Sequence, residues 1–208
     1  MTKRFGLVLA GVLVLAACQP SASSTGSPEP STNSSASNEA SASAAESAGS
    51  TATPAATPSP TDAGWICGLR VTLAATGVAP VHTVDVRVGT HTDYDRIVFE
   101  YAEAGTPAVL IQHATPPFTK DPSGLPLTVN GSNVLEINLN GATKVADDGS
   151  LTYTGPTDFQ PGYAQLVQLV ERGDFEAVNT WYLGLDGGDC IRAAVVTNPS
   201  RLVIDVQH

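Results

Sequence analysis

Leu135-Glu136-Ile137-Asn138-Leu139-Asn140 alternates an apolar with a polar side chain at every step. Successive side chains of a strand point to opposite faces, so a period of two places Leu135, Ile137 and Leu139 on one buried face. The same reading extends to Ile97, Phe99 and Tyr101, with Glu100 on the other face, and to Leu202, Ile204 and Val206, which alternate with Val203 and Asp205. Val84, Val86 and Val88 alternate with Asp85 and Arg87. Less regular apolar runs at Ala108–Gln112, Leu166–Val170, Val178–Leu185 and Ile191–Val196 complete a set of eight. From Trp65 onward no window of a dozen residues keeps apolar positions at i, i+3, i+4 and i+7, the spacing of an amphipathic helix. Gln165–Glu171 alone fits either a strand or one to two helical turns.

Turn chemistry separates these runs. Asn130-Gly131-Ser132-Asn133, Asp147-Asp148-Gly149, Arg172-Gly173-Asp174, Asp186-Gly187-Gly188 and Asn198-Pro199-Ser200 combine residues that tolerate left-handed or fixed backbone angles. Gly173-Asp174-Phe175-Glu176 reads as a hairpin turn followed by a core Phe. Short strands at this spacing predict an all-β domain over 65–208, an antiparallel β-sandwich or partly closed barrel of about eight strands.

The residues before Trp65 have a different character. Met1-Thr2-Lys3-Arg4 carries two positive charges and precedes an apolar stretch, Phe5 to Ala17, of 13 residues. A spanning helix needs about 20, so 1–17 reads as an export signal. Its end, Leu15-Ala16-Ala17-Cys18, resembles the lipobox of bacterial lipoproteins. That resemblance implies that Cys18 receives a diacylglyceryl group and becomes the mature N-terminus, anchoring the protein to the cell membrane on its extracytoplasmic face. Gln19 to Gly64 holds 13 Ser, 11 Ala, 6 Thr and 6 Pro, with no Lys, Arg or aromatic residue. Such a composition buries too little apolar surface to offset the entropy of ordering it. Residues 18–64 are therefore expected to be the lipidated Cys and a disordered linker.

The domain carries 8 basic against 16 acidic residues, a formal charge of −8. This argues against nucleic acid and anionic lipid surfaces as partners. Cys67 and Cys190 form an even pair in an exported, oxidising setting, which predicts a structural disulfide. Free thiols or a metal site are the alternatives, and Cys or His partners at ligand spacing are lacking.

His91, Asp93 and Asp95 lie within five residues and have the donor types of a metal or acid–base site. A turn stabilised by aspartate hydrogen bonds accounts for them equally well. Arg96 and Arg201 each open an alternating strand that also holds an acid, Glu100 and Asp205, so cross-strand ion pairs are expected. In a strand only one of Trp181 and Tyr182 faces the core. Trp181, in step with Leu183 and Leu185, is assigned to it, which leaves Tyr182 exposed, as a saccharide contact or as ordinary surface. No Gly-x-Ser-x-Gly elbow, His-Glu-x-x-His, phosphate-cradling glycine loop or Cys–His nucleophile arrangement is present. A distant carboxylate pair also stays open as a catalytic device.

Five segments, taken together, carry a resemblance. They are Gly89-Thr90-His91-Thr92-Asp93-Tyr94-Asp95-Arg96-Ile97-Val98-Phe99-Glu100, Tyr153-Thr154-Gly155-Pro156, Gly173-Asp174-Phe175-Glu176, Trp181-Tyr182-Leu183-Gly184-Leu185 and the run from Pro199 to His208. In this order they resemble the AMIN-like domain of actinobacterial envelope proteins, over roughly Val84 to His208. The related AMIN domain is a small β-sandwich that accompanies cell-wall amidases and secretin-type machinery and can bind peptidoglycan. With the lipobox and the lack of catalytic motifs, the resemblance leads to the expectation of a lipoprotein that binds peptidoglycan or an associated wall glycan, without enzymatic activity, cofactor or metal. Tyr182, Arg96, Arg201, His91 and Asp93 are its candidate contacts. Docking of an envelope protein partner, and a metal-dependent wall hydrolase using His91, are the alternatives.

Overall fold

The alternating segments become strands. A computed structural model describes residues 64–68 and 70–208. The expected leader, Cys18 and the linker up to residue 63 lie outside the described residues. In chain order the strands are β1 (Val71–Leu73), β2 (Val81–Thr90), β3 (Tyr94–Tyr101), β4 (Ala108–His113), β5 (Asn133–Asn140), β6 (Ala142–Thr143), β7 (Asp158–Phe159), β8 (Leu166–Phe175), β9 (Val178–Leu185), β10 (Ile191–Val196) and β11 (Arg201–Gln207). Eight of them have six residues or more, and these coincide with the eight runs of the sequence. No helix occurs among the described residues.

The strands form two sheets. One is six-stranded, in the order β1-β4-β5-β9-β8-β7; the other is five-stranded, in the order β10-β11-β3-β2-β6. No strand is shared between them, so the architecture is a sandwich rather than a barrel. All pairings are antiparallel except that of the two-residue β6, which joins β2 in parallel.

The core lies between the sheets because their alternating apolar faces turn toward each other. Ile97, Phe99, Leu202, Ile204 and Val206 from the five-stranded sheet pack in one cluster with Leu135, Ile137, Leu139, Trp181 and Leu183 from the six-stranded one. Phe99 meets Trp181 edge to face, ring centres 5.6 Å apart. The Trp181 indole N–H donates to Asn179 Oδ1, so its one polar atom is satisfied inside the core. Burying side chains of this size stabilises the fold by about 1.5–3 kcal/mol each. Truncating Phe99 to Ala would cost about 3–5 kcal/mol through lost burial and the cavity left behind.

One open reading is resolved here and another changes. The ambiguous Gln165–Glu171 segment enters β8, where Leu166, Leu169 and Val170 are all buried. A strand covered on both faces loses its alternation, which is why this run also fits a helix. The Arg172-Gly173-Asp174 breaker is not a turn either, because β8 runs on through Phe175. The hairpin turns at Glu176 and Ala177, both left-handed with φ of 52° and 57°. Phe175 is 54% exposed instead of joining the core.

Residues 114–132, between β4 and β5, explain the glycine. They cross the outer face of the six-stranded sheet as a strap, with the Asp121 N–H donating to the Arg172 carbonyl at 2.9 Å and the Asn130 N–H to Gln168 Oε1 at 2.7 Å. A Cβ on Gly173 would lie 2.7 Å from the Asp121 carbonyl oxygen, and one on Gly184 would lie 1.8 Å from that of Asn130. Both glycines serve close approach of the strap rather than a turn.

Candidate functional site

Strand register builds the most distinctive surface of the domain, on the outer face of the five-stranded sheet. Arg192 on β10 lies opposite Asp205 on β11, and Asp205 lies opposite Arg96 on β3. Because these positions point away from the core, the three side chains form one row. Asp205, with no exposed side-chain surface, accepts from Arg96 Nε at 2.6 Å and Nη2 at 2.9 Å, and from Arg192 Nε at 2.8 Å. One carboxylate thus fixes two guanidiniums and leaves a net positive charge in the row. Its hydrogen bonds also hold the Arg96 guanidinium above its ordinary pKa, against the opposing effect of burial.

Aromatic rings interleave with these cations. The Arg192 guanidinium sits 4.5 Å from the centre of the Trp65 ring and 5.0 Å from that of Tyr94, and Arg96 lies 5.0 Å from Tyr94. His91 stacks on Tyr94 with ring centres 4.4 Å apart. Cation–π contacts of this kind are worth about 0.5–2 kcal/mol each, more as water is excluded. Trp65 reaches the row because Cys67 is disulfide-bonded to Cys190, as expected, and Ile66 and Ile191 exchange backbone hydrogen bonds at 2.8 and 2.9 Å.

Along the same face, Arg87 on β2 bonds Asp85 and reaches Glu100 at 2.9 Å. Arg201 lies opposite Glu100 but turns its Nε toward the Pro199 carbonyl, 3.3 Å away. Four of the six arginines of 65–208 therefore share a face with three carboxylates, Asp85, Glu100 and Asp205. The face is net cationic in a domain of charge −8. A hollow of about 220 Å³ opens there, lined by Arg87, Val88, Gly89, His91, Arg96 and Val98. Gly89 leaves it open, since a Cβ at that position would meet no atom within 4 Å.

The sequence-nominated residues divide. Arg96 and His91 line this hollow, and Arg201 stands on the same face, four residues further along the sheet. Asp93 is exposed in the turn between β2 and β3, where its carbonyl accepts the His208 N–H at 3.0 Å. Asp95, expected beside His91, points inward instead. It is fully buried, accepts the N–H groups of Gln165 and Leu166 at 2.9 Å each, and lies 3.0 Å from His208 Nε2. Burial opposes its ionisation, but these donors outweigh that and hold its pKa below the usual carboxylate range. Among the described residues no group of three or more His, Cys, Asp or Glu is placed to hold a metal ion.

Tyr182 requires a correction. It does occupy the face opposite Trp181, yet it is only 5% exposed, because the strap lays Phe118 against it with ring centres 5.0 Å apart. The Arg172 guanidinium covers it from another side, 5.9 Å from the ring centre. Tyr182 thus lies on the other sheet from Arg96 and Arg201 and is not an open platform. Trp65, Tyr94, Arg192 and Arg87 are the members of the face that residue patterns did not nominate. The available signal was Cys67 and Cys190, which lie two residues from Trp65 and Arg192 respectively.

No curated protein and no solved structure matches the chain. The family model of the AMIN-like domain matches residues 81–208, from the first residue of β2 through His208. That is more than half of the chain, and the protein belongs to the AMIN-like domain family.

Proposed function

We propose that this protein is a lipid-anchored component of the cell envelope, and that its AMIN-like domain holds peptidoglycan or an associated wall glycan without catalysing a reaction. The observation that carries this reading is the net cationic, ring-bearing face of an otherwise acidic domain. A carboxylate-bearing wall polymer is repelled by the domain as a whole and attracted by this face. Guanidiniums take carboxylates through paired N–H groups, and Trp65 brings ring surface for the C–H face of a sugar.

Acylation at Cys18 would supply the anchor, since two or more acyl chains hold a protein firmly in a bilayer. As a flexible coil the 46 residues from Gln19 to Gly64 would span roughly 35–40 Å, a reach suited to the wall rather than to lipid headgroups.

Sedimentation with insoluble peptidoglycan tests the reading. The protein is expected to pellet with it, and an Arg192→Ala, Trp65→Ala variant to stay largely in the supernatant. Pelleting no better than an unrelated acidic domain would overturn the glycan reading. Retention by envelope protein fractions alone would move it to the docking of a polypeptide partner.

A further inference from the structure

The strap packs on Gly184 at one point of the outer face of the six-stranded sheet and on Gly173 at another. Between the strap and the turn that joins β8 to β9 lies a hollow of about 340 Å³. Its apolar side is made by Phe175, Pro122 and Val178. Phe175 is more than half exposed, in contrast to Phe99 and Trp181. Asn138 and Thr180 line the hollow as well and supply both hydrogen-bond donors and acceptors.

The wall is held in place by the fold. Arg172 pairs with Asp121 at 2.9 Å and with Glu136 at 3.0 Å, which ties the strap to β8 and β5. Those two carboxylates neutralise the one cation of the hollow, and Glu176 adds a further negative charge at its edge. An anionic ligand is therefore disfavoured. An apolar ring surface beside uncharged hydrogen-bonding groups, in a volume at the lower end of the ligand-pocket range of about 300–1,000 Å³, fits a compact neutral and hydroxyl-rich molecule.

We propose that this hollow is a saccharide subsite that takes one or two rings of an uncharged sugar chain. The apolar face of a ring would stack on Phe175, with its hydroxyl or amide groups on Asn138 and Thr180. The inference rests on the wall-glycan reading only for the source of the sugar. The hollow is on the opposite sheet from the arginine face and works independently of it.

The test is titration of the detergent-purified protein with chitotetraose, an uncharged β-linked oligomer of N-acetylglucosamine. Phe175→Ala should weaken binding about tenfold, the effect of losing one aromatic stacking contact. Phe175→Trp should bind at least as well as the parent. Phe175 is exposed, so its variants should keep the parental melting temperature; Asn138→Ala gives a second loss that does not depend on the ring. Parent protein that ignores the oligomer, or a Phe175→Ala variant that binds as tightly as the parent, overturns the subsite. Pelleting with peptidoglycan without oligomer binding refutes the subsite alone, whereas oligomer binding without pelleting refutes the wall reading alone.

Discussion

Trp65 lies across from Arg192, with the guanidinium 4.5 Å from the indole centre. Trp65-Ile66-Cys67 runs antiparallel to Cys190-Ile191-Arg192, and the disulfide closes the end of this short pairing. Replacing both cysteines by Ser frees a loop spanning 123 positions. The expected loss is about 4–5 kcal/mol in the chain-entropy model. The Trp65 indole should also leave Arg192 for water. The chain has two tryptophans, so a Trp181→Phe background isolates the emission of Trp65. A red shift on loss of the disulfide is expected, and unchanged emission would show that Ile66 and Ile191 suffice to hold the pairing.

Asp205 is the keystone of the arginine row. Arg96 and Arg192 keep only 11% and 12% of their side-chain surface exposed. Asp205→Ala would leave two largely buried guanidiniums without their shared carboxylate, at a cost of about 3–5 kcal/mol. Urea unfolding measures it. A loss below about 1 kcal/mol would mean that water replaces the carboxylate at low cost, as it does for exposed pairs.

The fold was legible because β2, β3, β5 and β11 write a period of two into the sequence, while β4, β8, β9 and β10 show as apolar runs bounded by turn residues. The rows of the outer face were less so. Alternation tells which residues share a face but not which lie opposite across strands, and that depends on register. Both Arg96 and Arg201 had an acid within reach, yet register joins Arg96 to Asp205 and gives Glu100 to Arg87. Residues 114–132 have no period to read, so nothing in them announced that Phe118 would close over Tyr182. Gly173 was misread for the same reason, since a glycine needed for close approach looks in sequence like one needed for a turn.

Gly184 tests the strap. A Cβ there would lie 1.8 Å from the Asn130 carbonyl oxygen, so the strap must move away from β9 at the point where the Asn130 N–H also bonds Gln168. Gly184→Ala should cost about 1–3 kcal/mol, the range for overpacking. The loss should be local, with faster hydrogen exchange across residues 114–132 and at Tyr182 while Phe99 and Trp181 stay protected. Uniform loss of protection would show that the strap and the sandwich unfold as one unit.

The turn between β8 and β9 offers the opposite sign. Ala177 is held at φ 57°, where a Cβ is crowded and glycine is not. Ala177→Gly should therefore stabilise the domain by about 1 kcal/mol, read as a higher melting temperature with an unchanged circular dichroism spectrum. A destabilised variant would mean that the methyl group packs well enough to outweigh the relief of strain.

Asp95 ties the two sheets together, since its carboxylate on β3 receives the backbone N–H groups of Gln165 and Leu166 where β8 begins. Its folded pKa is below the usual range, whereas the unfolded chain returns to about 3.9. The stability it contributes is thus fully present above that unfolded value and fades as pH falls through the lower folded one. Asn at this position can keep both backbone bonds on its carbonyl oxygen but loses their charge assistance, so Asp95→Asn should cost about 1–3 kcal/mol at pH 7. Stability measured from pH 7 down to 2 should show the gap between parent and variant narrowing toward the acid end, as the parent carboxyl begins to take up its proton. A constant offset across that range would assign the cost to altered packing rather than to the charge.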